Sequence, residues 1–260
     1  MASAADKHVF SGSDTLAGAI TDAIIAAGMD QQIQYAGGGS GLGEKGLISG
    51  DQGIAPMSRE VSAAAMEQLS AKGASVLGHV LALDGLSIFV KGNNGVQSMD
   101  LATVARIYTC ELTKWEQIPN SGMTGAIAAY RRNDNSGTTD AFKHFTGVKT
   151  FGACVTAVNE TADITDVTSR NPLAVGYSGL SGKSDENRFV PLSAKAGLAA
   201  ILPTTATIRD FSYPMARRVY VYEITGSQKV NDVEATFLSY IKDRSFMDPI
   251  MQAHEFITID

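Results

Sequence analysis

The sequence predicts an α/β fold built on a largely parallel sheet. Three observations carry this expectation. Between Val9 and Lys72 a short apolar strand, a polar or glycine-rich loop and a helix follow one another three times. Of 260 residues, 44% are hydrophobic and 18% charged, an ordinary globular composition. Apolar runs such as Val80 to Leu83 and Leu86 to Val90 are strand-sized and fall well short of the ~20 residues that cross a bilayer.

Taken in order, Val9-Phe10 is a strand, Ser13-Asp14-Thr15 can cap, and Leu16, Ile20, Ala23, Ile24 and Ala27 recur at helical spacing up to Gly28. Ile33 to Ala36 is a second strand. It runs into Gly37-Gly38-Gly39-Ser40-Gly41-Leu42-Gly43, too glycine-rich for regular structure, and then a helix over Glu44 to Ile48. Gly53 to Ser58 leads into a helix from Arg59 to Lys72, read from Val61, Ala65, Met66 and Leu69. Val76 to Val90 is β-rich and broken at Asp84-Gly85, where a glycine suits a crossing between two lobes. Asp100 to Tyr108 is an amphipathic helix. Ala126 to Tyr130 is a strand that enters Arg131 to Thr139, the richest polar loop, and a helix follows from Asp140 to Phe145. Leu173 to Tyr177 is extended, as is Phe211 to Tyr222 with Pro214 inside it. A last helix runs from Val233 to Lys242.

Charge and motifs narrow the chemistry. Lys plus Arg number 21 against 27 Asp plus Glu, a net charge of −6, so the chain is not built for nonspecific nucleic-acid or anionic-membrane binding. Two cysteines, Cys110 and Cys154, and four scattered histidines make no metal site. The cysteines are either a disulfide closing a loop of about 45 residues or two buried thiols. Gly41-Leu42-Gly43-Glu44-Lys45-Gly46 satisfies G-x-G-x-x-G, with Glu60 placed for a ribose. Yet the preceding strand ends near Ala36, too early for a dinucleotide turn. Gly182-Lys183-Ser184 ends like a phosphate loop but has Tyr177 where the loop needs glycine. No G-x-S-x-G elbow is present.

What remains is Ser, Thr and Gly at four helix N-termini, together with one arginine. Unpaired amides and the positive end of the helix dipole suit a tetrahedral oxyanion without net positive charge on the protein. The fourth loop concentrates this chemistry. Arg132 offers a fork of donors, Asp134 an acid to orient it, Ser136 and Thr138 hydroxyls, and Gly137 a bare backbone position.

Arg132-Asn133-Asp134-Asn135-Ser136-Gly137-Thr138-Thr139 resembles the R-x-D-x-S-G-T-[ST] motif of the phosphate-binding proteins that serve the high-affinity bacterial phosphate ABC transporter. Gly12 to Leu16 is similar to that family's first loop, Tyr35 to Gly41 to its glycine-serine loop, and Gly53 to Arg59 to its third. Asp100 to Tyr108, Lys114-Trp115 and Ala174 to Tyr177 resemble its second lobe. The resemblance implies a two-lobed periplasmic-binding-protein fold with a hinge of two crossing strands. Lobe I would be residues 1–83 and 214–260, and lobe II residues 84–213.

It further implies a non-enzymatic receptor that takes inorganic phosphate in the interlobe cleft and delivers it to a membrane ABC permease, as a monomer without cofactor. Thr15 would donate through hydroxyl and amide, Leu16 through its amide, Ser40 through its hydroxyl and Arg132 as a charged fork. Ser136 and Thr138 would use hydroxyl and amide, and Gly137 its amide. Asp134 would hold Arg132, and Asp14 reads either as a structural cap behind the first loop or as a cleft carboxylate that accepts in place of Ser58. Many family members carry an aspartate at the end of the third loop, where it accepts from a protonated phosphate oxygen; this chain has Ser58. That substitution opens the alternative of another oxyanion, such as sulfate, arsenate or molybdate, or of a phosphorylated small molecule. An extracytoplasmic receptor also makes Cys110–Cys154 a disulfide, and reads Ala2-Ser3-Ala4 as the remnant of a removed leader.

Overall fold

The computed structural model describes residues 7–133 and 136–259. In chain order the elements are β1 (His8–Gly12), a 3-10 turn (Asp14–Leu16), α1 (Ala17–Ala26), β2 (Ile33–Gly38), α2 (Ser40–Ser49), β3 (Ile54–Met57), α3 (Ala63–Ala71) and β4 (Ala74–Gly85). Then come β5 (Ser87–Lys91), β6 (Met99–Asp100), α4 (Leu101–Tyr108), β7 (Ala128–Arg132), α5 (Gly137–Thr146), β8 (Val155–Val158), α6 (Thr161–Arg170) and β9 (Ala174–Ser178). The chain closes with β10 (Asn187–Phe189), β11 (Leu192–Ser193), α7 (Thr205–Arg209), β12 (Ala216–Gly226), α8 (Asp232–Lys242) and α9 (Arg244–Ala253). The elements form two compact units. One runs to Leu83 and resumes at Arg217, and the other is Asp84–Ala216, so the chain changes unit once within β4 and once within β12.

In the first unit β1 pairs with β2 in parallel, and β12 lies between β3 and β4, antiparallel to β3. Alternation along these strands feeds two cores. Ile54, Val219 and Val221 join Phe10, Leu16, Ile20 and Ile24 of the first strand–helix unit and Phe237, Ile241, Met247 and Met251 of α8 and α9. On the other side Ala55, Met57, Tyr220 and Tyr222 pack with Leu47 and Leu69 of α2 and α3. In the second unit five strands run in the order β10-β5-β9-β7-β8. The pairs of β7 with β8 and β9 are parallel, whereas β5 pairs antiparallel with both β9 and β10. The five-stranded sheet is therefore mixed, with its antiparallel pairs at β5, and the first unit combines the parallel β1–β2 pair with the antiparallel pair of β12 and β3. Cys110 and Cys154 form a disulfide with Cα atoms 5.9 Å apart, joining the end of α4 to the start of β8.

Several elements depart from the sequence reading, each for a visible reason. The helix expected from Arg59 begins at Ala63, because the Glu44 carboxylate takes Arg59 and the Ser62 amide and holds residues 59–62 outside the helix; Ser62 then caps Ala65 N at 3.2 Å. The extended stretch expected from Phe211 starts at Ala216. Before it, Phe211 adopts φ 58°, and Tyr213 is fixed by Thr207 O at 3.0 Å and Leu86 O at 2.8 Å. The helix ending at Lys242 is not the last: α9 follows, with Pro249 inside it. A proline there removes one backbone bond, and the burial of Met247 and Met251 offsets the loss. The G-x-G-x-x-G glycines lie inside α2 instead of at a strand-to-helix turn, which ends the dinucleotide reading.

Candidate functional site

Three loops of the first unit converge through hydrogen bonds the sequence does not announce. Ser13 N donates to Pro56 O at 2.8 Å, joining the first and third loops. Asp14 Oδ1 accepts from Gly38 N at 2.8 Å, joining the first and second. Gly37, Gly38 and Gly39 all have positive φ (64°, 91° and 89°), a run that side chains would strain, so the glycines let β2 turn sharply into Ser40 at the start of α2. Ser58 N donates to Ser40 Oγ at 3.2 Å, and the two hydroxyls lie 3.3 Å apart, both buried. Thr15 follows on the 3-10 turn, where its Oγ1 accepts from Arg217 Nη2 at 3.0 Å. Arg217 is only 7% exposed. Thr15, Ser40 and Ser58 are thus held by one network, with a guanidinium attached to it.

Two features of this group differ from the expectation. Asp14 is not a side-chain cap; its carboxylate pins the glycine loop. Leu16 N donates to Ser13 O at 3.2 Å within the turn, and its side chain is wholly buried in the core. Burial and the neighbouring Asp14 charge also push the Tyr35 hydroxyl far above its ordinary pKa, so it stays protonated and donates to Ser13 O at 2.8 Å.

The second unit carries the other group. β7 ends on Arg132, and α5 begins at Gly137 behind the N-cap Ser136, whose Oγ accepts from Thr138 N at 3.2 Å. The Thr138 amide is therefore taken by the Ser136 hydroxyl, which caps the helix. Thr139 is buried and ties the loop down, donating to Arg132 O at 3.0 Å and bonding the Tyr177 hydroxyl at 2.9 Å. Beneath it Phe142 stacks on Tyr177 with centroids 4.2 Å apart, and Tyr108 packs against both. The loop that holds the donors therefore rests on a rigid aromatic floor.

Arg132 is mostly buried, at 19% side-chain exposure. Its Nη1 donates to Thr161 Oγ1 at 3.0 Å, and Nη2 lies 3.6 Å from Glu160 Oε2, both at the start of α6. Its Nε has no hydrogen-bond partner among the described residues. Asp134, expected to orient this arginine, lies outside the described residues, as does the Ala2-Ser3-Ala4 segment. Sequence reasoning missed Thr161, Glu160 and Arg217. Glu160 and Thr161 read only as a helix start, and Arg217 sits in a strand far from the loop it meets. Among the described residues there is no cluster of three or more His, Cys, Asp or Glu side chains fit to hold a metal, and no helix long and apolar enough to cross a membrane.

Two mixed α/β units linked by two chain crossings, with oxygen and nitrogen donors at helix starts, define the class of solute-binding proteins. The chain belongs to the PBP superfamily, whose domain model matches residues 2–244. It is 27% identical over 255 residues to the phosphate-binding protein PstS of Pseudomonas aeruginosa, a match that spans 90% of this chain and 77% of that protein. In fold it resembles a possible phosphate-binding protein from Planctomyces limnophilus, with a TM-score of 0.86 at 20% identity over 99% of this chain and 94% of that one. An ABC-type phosphate transport receptor from Vibrio cholerae superposes with a TM-score of 0.77, again at 20% identity, covering 96% of this chain and 99% of the receptor.

Proposed function

We propose that this protein is an extracytoplasmic receptor that binds inorganic phosphate and delivers it to a membrane ABC permease, without catalysing a reaction. The observation that carries the reading is the Arg132 loop: a mostly buried guanidinium, whose Nε has no hydrogen-bond partner among the described residues, beside a helix that opens with the N-cap Ser136 and Gly137-Thr138. Such a guanidinium at a helix start suits a tetrahedral anion, through its fork of donors and the positive end of the helix dipole. The names of the relatives, phosphate-binding protein PstS and phosphate transport receptor, support phosphate as that anion.

In this reading one phosphate ion takes donors from both units. The Thr15, Ser40 and Ser58 hydroxyls serve from the first; Arg132, the Ser136 and Thr138 hydroxyls and the Gly137 amide serve from the second. The Leu16 and Thr138 amides contribute only as shared donors, since turn and cap bonds already use them. Asp134 and Asp14 hold the loops in place. The two units act as the lobes of the receptor, β4 and β12 as its hinge strands, and the protein works as a monomer. Titration calorimetry at pH 7 tests the whole: one-to-one phosphate binding at micromolar affinity or tighter is expected, and no phosphate heat would reject it. Arg132→Ala should weaken binding about a hundredfold, ~2–3 kcal/mol for a lost charge-assisted fork. A variant within threefold of the parent would remove Arg132 from the site.

Ser58 keeps a second ligand in view. A hydroxyl donates as readily as it accepts, so this position does not repel a fully ionised oxyanion as a carboxylate does. Phosphate binding that survives a hundredfold excess of sulfate unaltered would dismiss a relaxed site.

A further inference from the structure

The side chain of Arg132 is directed by a residue that lies outside every loop in which the sequence shows binding chemistry. Thr161 opens α6, and its Oγ1 accepts from Arg132 Nη1 at 3.0 Å. The fold brings it there in three ways. β7 and β8 run parallel with Arg132 opposite Val158, and Asn133 N donates to Val158 O at 3.0 Å. β8 ends on Val158, and the chain turns directly into α6 at Thr161. α6 is then seated on the sheet through Ile164 and Thr168, both wholly buried, and a Cβ on Gly176 of β9 would collide with Ile164. Thr161 therefore stands on a rigid shelf beside the end of β7. The backbone of Arg132 is fixed from the other helix, where Thr139 Oγ1 of α5 donates to Arg132 O at 3.0 Å.

A long arginine side chain loses rotamer freedom when it binds an ion, and that loss weakens affinity unless the chain is ordered beforehand. A guanidinium carries five N–H donors, so one hydroxyl can set its plane without exhausting its fork. The other contact at the start of α6 has the geometry of a solvent-screened pair: Glu160 Oε2 is 3.6 Å from Nη2, and its side chain is 72% exposed. Thr161 is half-buried and bonds at an ordinary hydrogen-bond distance. Orientation of the guanidinium thus comes from the hydroxyl more than from the carboxylate.

We infer that Thr161 is a positioning residue for the bound anion: it acts through Arg132, holding the guanidinium in the orientation in which it meets phosphate. The inference rests on the phosphate reading above, and the test separates the two. Phosphate affinity is measured by calorimetry at pH 7 for the parent protein, Thr161→Val, Thr161→Ser, Glu160→Gln, Arg132→Ala and the Thr161→Val/Arg132→Ala double variant, with circular dichroism confirming the fold of each. Thr161→Val keeps the shape and removes the acceptor, and should lose five- to tenfold. Thr161→Ser restores the hydroxyl and should bind within twofold of the parent. Glu160→Gln should stay within threefold. In the Arg132→Ala background Thr161→Val should cost less than twofold, because the group it positions is gone.

Phosphate binding by the parent with Thr161→Val within twofold of it overturns the inference and leaves the receptor reading intact. A loss in the Arg132→Ala background as large as in the parent overturns it too, since a merely structural role for the start of α6 would produce that. Thr161→Ser as weak as Thr161→Val would assign the effect to packing of the methyl group, and a larger loss from Glu160→Gln would transfer the role to the carboxylate; either refutes the assignment. No phosphate binding by the parent removes both readings. Should Thr161→Val fail to fold, Thr161→Ala replaces it with the same expected loss and the same controls. Should the double variant bind too weakly to titrate, the Nε–Hε resonance of Arg132, assigned by its absence in Arg132→Lys, decides: it should shift in Thr161→Val and return in Thr161→Ser, and a resonance that Thr161→Val leaves unmoved overturns the inference.

Discussion

Glu44 shows how one side chain shapes the first unit. It is 8% exposed, yet it takes the Arg59 guanidinium, the Ser62 amide and the Ser62 hydroxyl. Burial alone would raise its pKa, but the bonds from Arg59 and Ser62 and the Arg59 charge outweigh burial and hold it below the ordinary 4.5. A carboxyl with a depressed folded pKa contributes stability that is full above its unfolded value and is lost as pH falls through the folded one. Glu44→Gln should therefore cost ~1–3 kcal/mol at pH 7. Denaturant curves for the two proteins should converge as the pH drops below about 4. A gap that persists unchanged into acid would mean that shape, not charge, is what Glu44 supplies.

At the scale of elements the disulfide and the loops show different kinds of constraint. Cys110 ends α4 in a left-handed conformation (φ 66°), and Gly152 fits beside it because a Cβ there would collide with the Cys110 sulfur and lie 2.7 Å from Thr109 O. The bond joins positions 44 apart in sequence and encloses β7 and α5. Replacing both cysteines with alanine should lower stability by ~2–4 kcal/mol, read from denaturant midpoints, with a smaller effect on phosphate affinity. An unchanged midpoint would show that the reduced chain is already held together by the aromatic packing of Tyr108, Phe142 and Tyr177. Local order of this kind was largely legible in the sequence. Asp100 announces a helix start and the glycines at 37 to 39 a turn, because caps and φ preferences act within a few residues, but α2 starts at Ser40 and α5 at Gly137, inside stretches read as loop up to Gly43 and Thr139. The start of α3 at Ala63 was not legible, since Glu44 controls it across 18 residues. Nor were the partners of the proposed ligand residues: Thr161 is 29 positions from Arg132 and Arg217 is 202 from Thr15. Sequence spacing reports what is near along the chain, and these contacts are made by strand order.

For the whole molecule the decisive property is that the chain changes unit at only two points, within β4 and within β12, while each unit holds its own sheets. The residues proposed as phosphate donors are split in the same way, with Thr15, Ser40 and Ser58 in one unit and Arg132, Ser136 and Thr138 in the other. If one phosphate ion engages both sets, its binding free energy stabilises both units at once. At a phosphate concentration 1,000 times Kd that amounts to about 4 kcal/mol. Amide hydrogen exchange separates this from binding by one unit alone. Phosphate should slow exchange both at the start of α5 and in the segments around Ser40 and Ser58, with the same concentration dependence at each. Protection confined to α5 would make the second unit a self-sufficient anion site and assign the hydroxyl network of the first unit to structure. Protection in both, lost together in Arg132→Ala, is the outcome the receptor reading requires, because one binding event would then account for both.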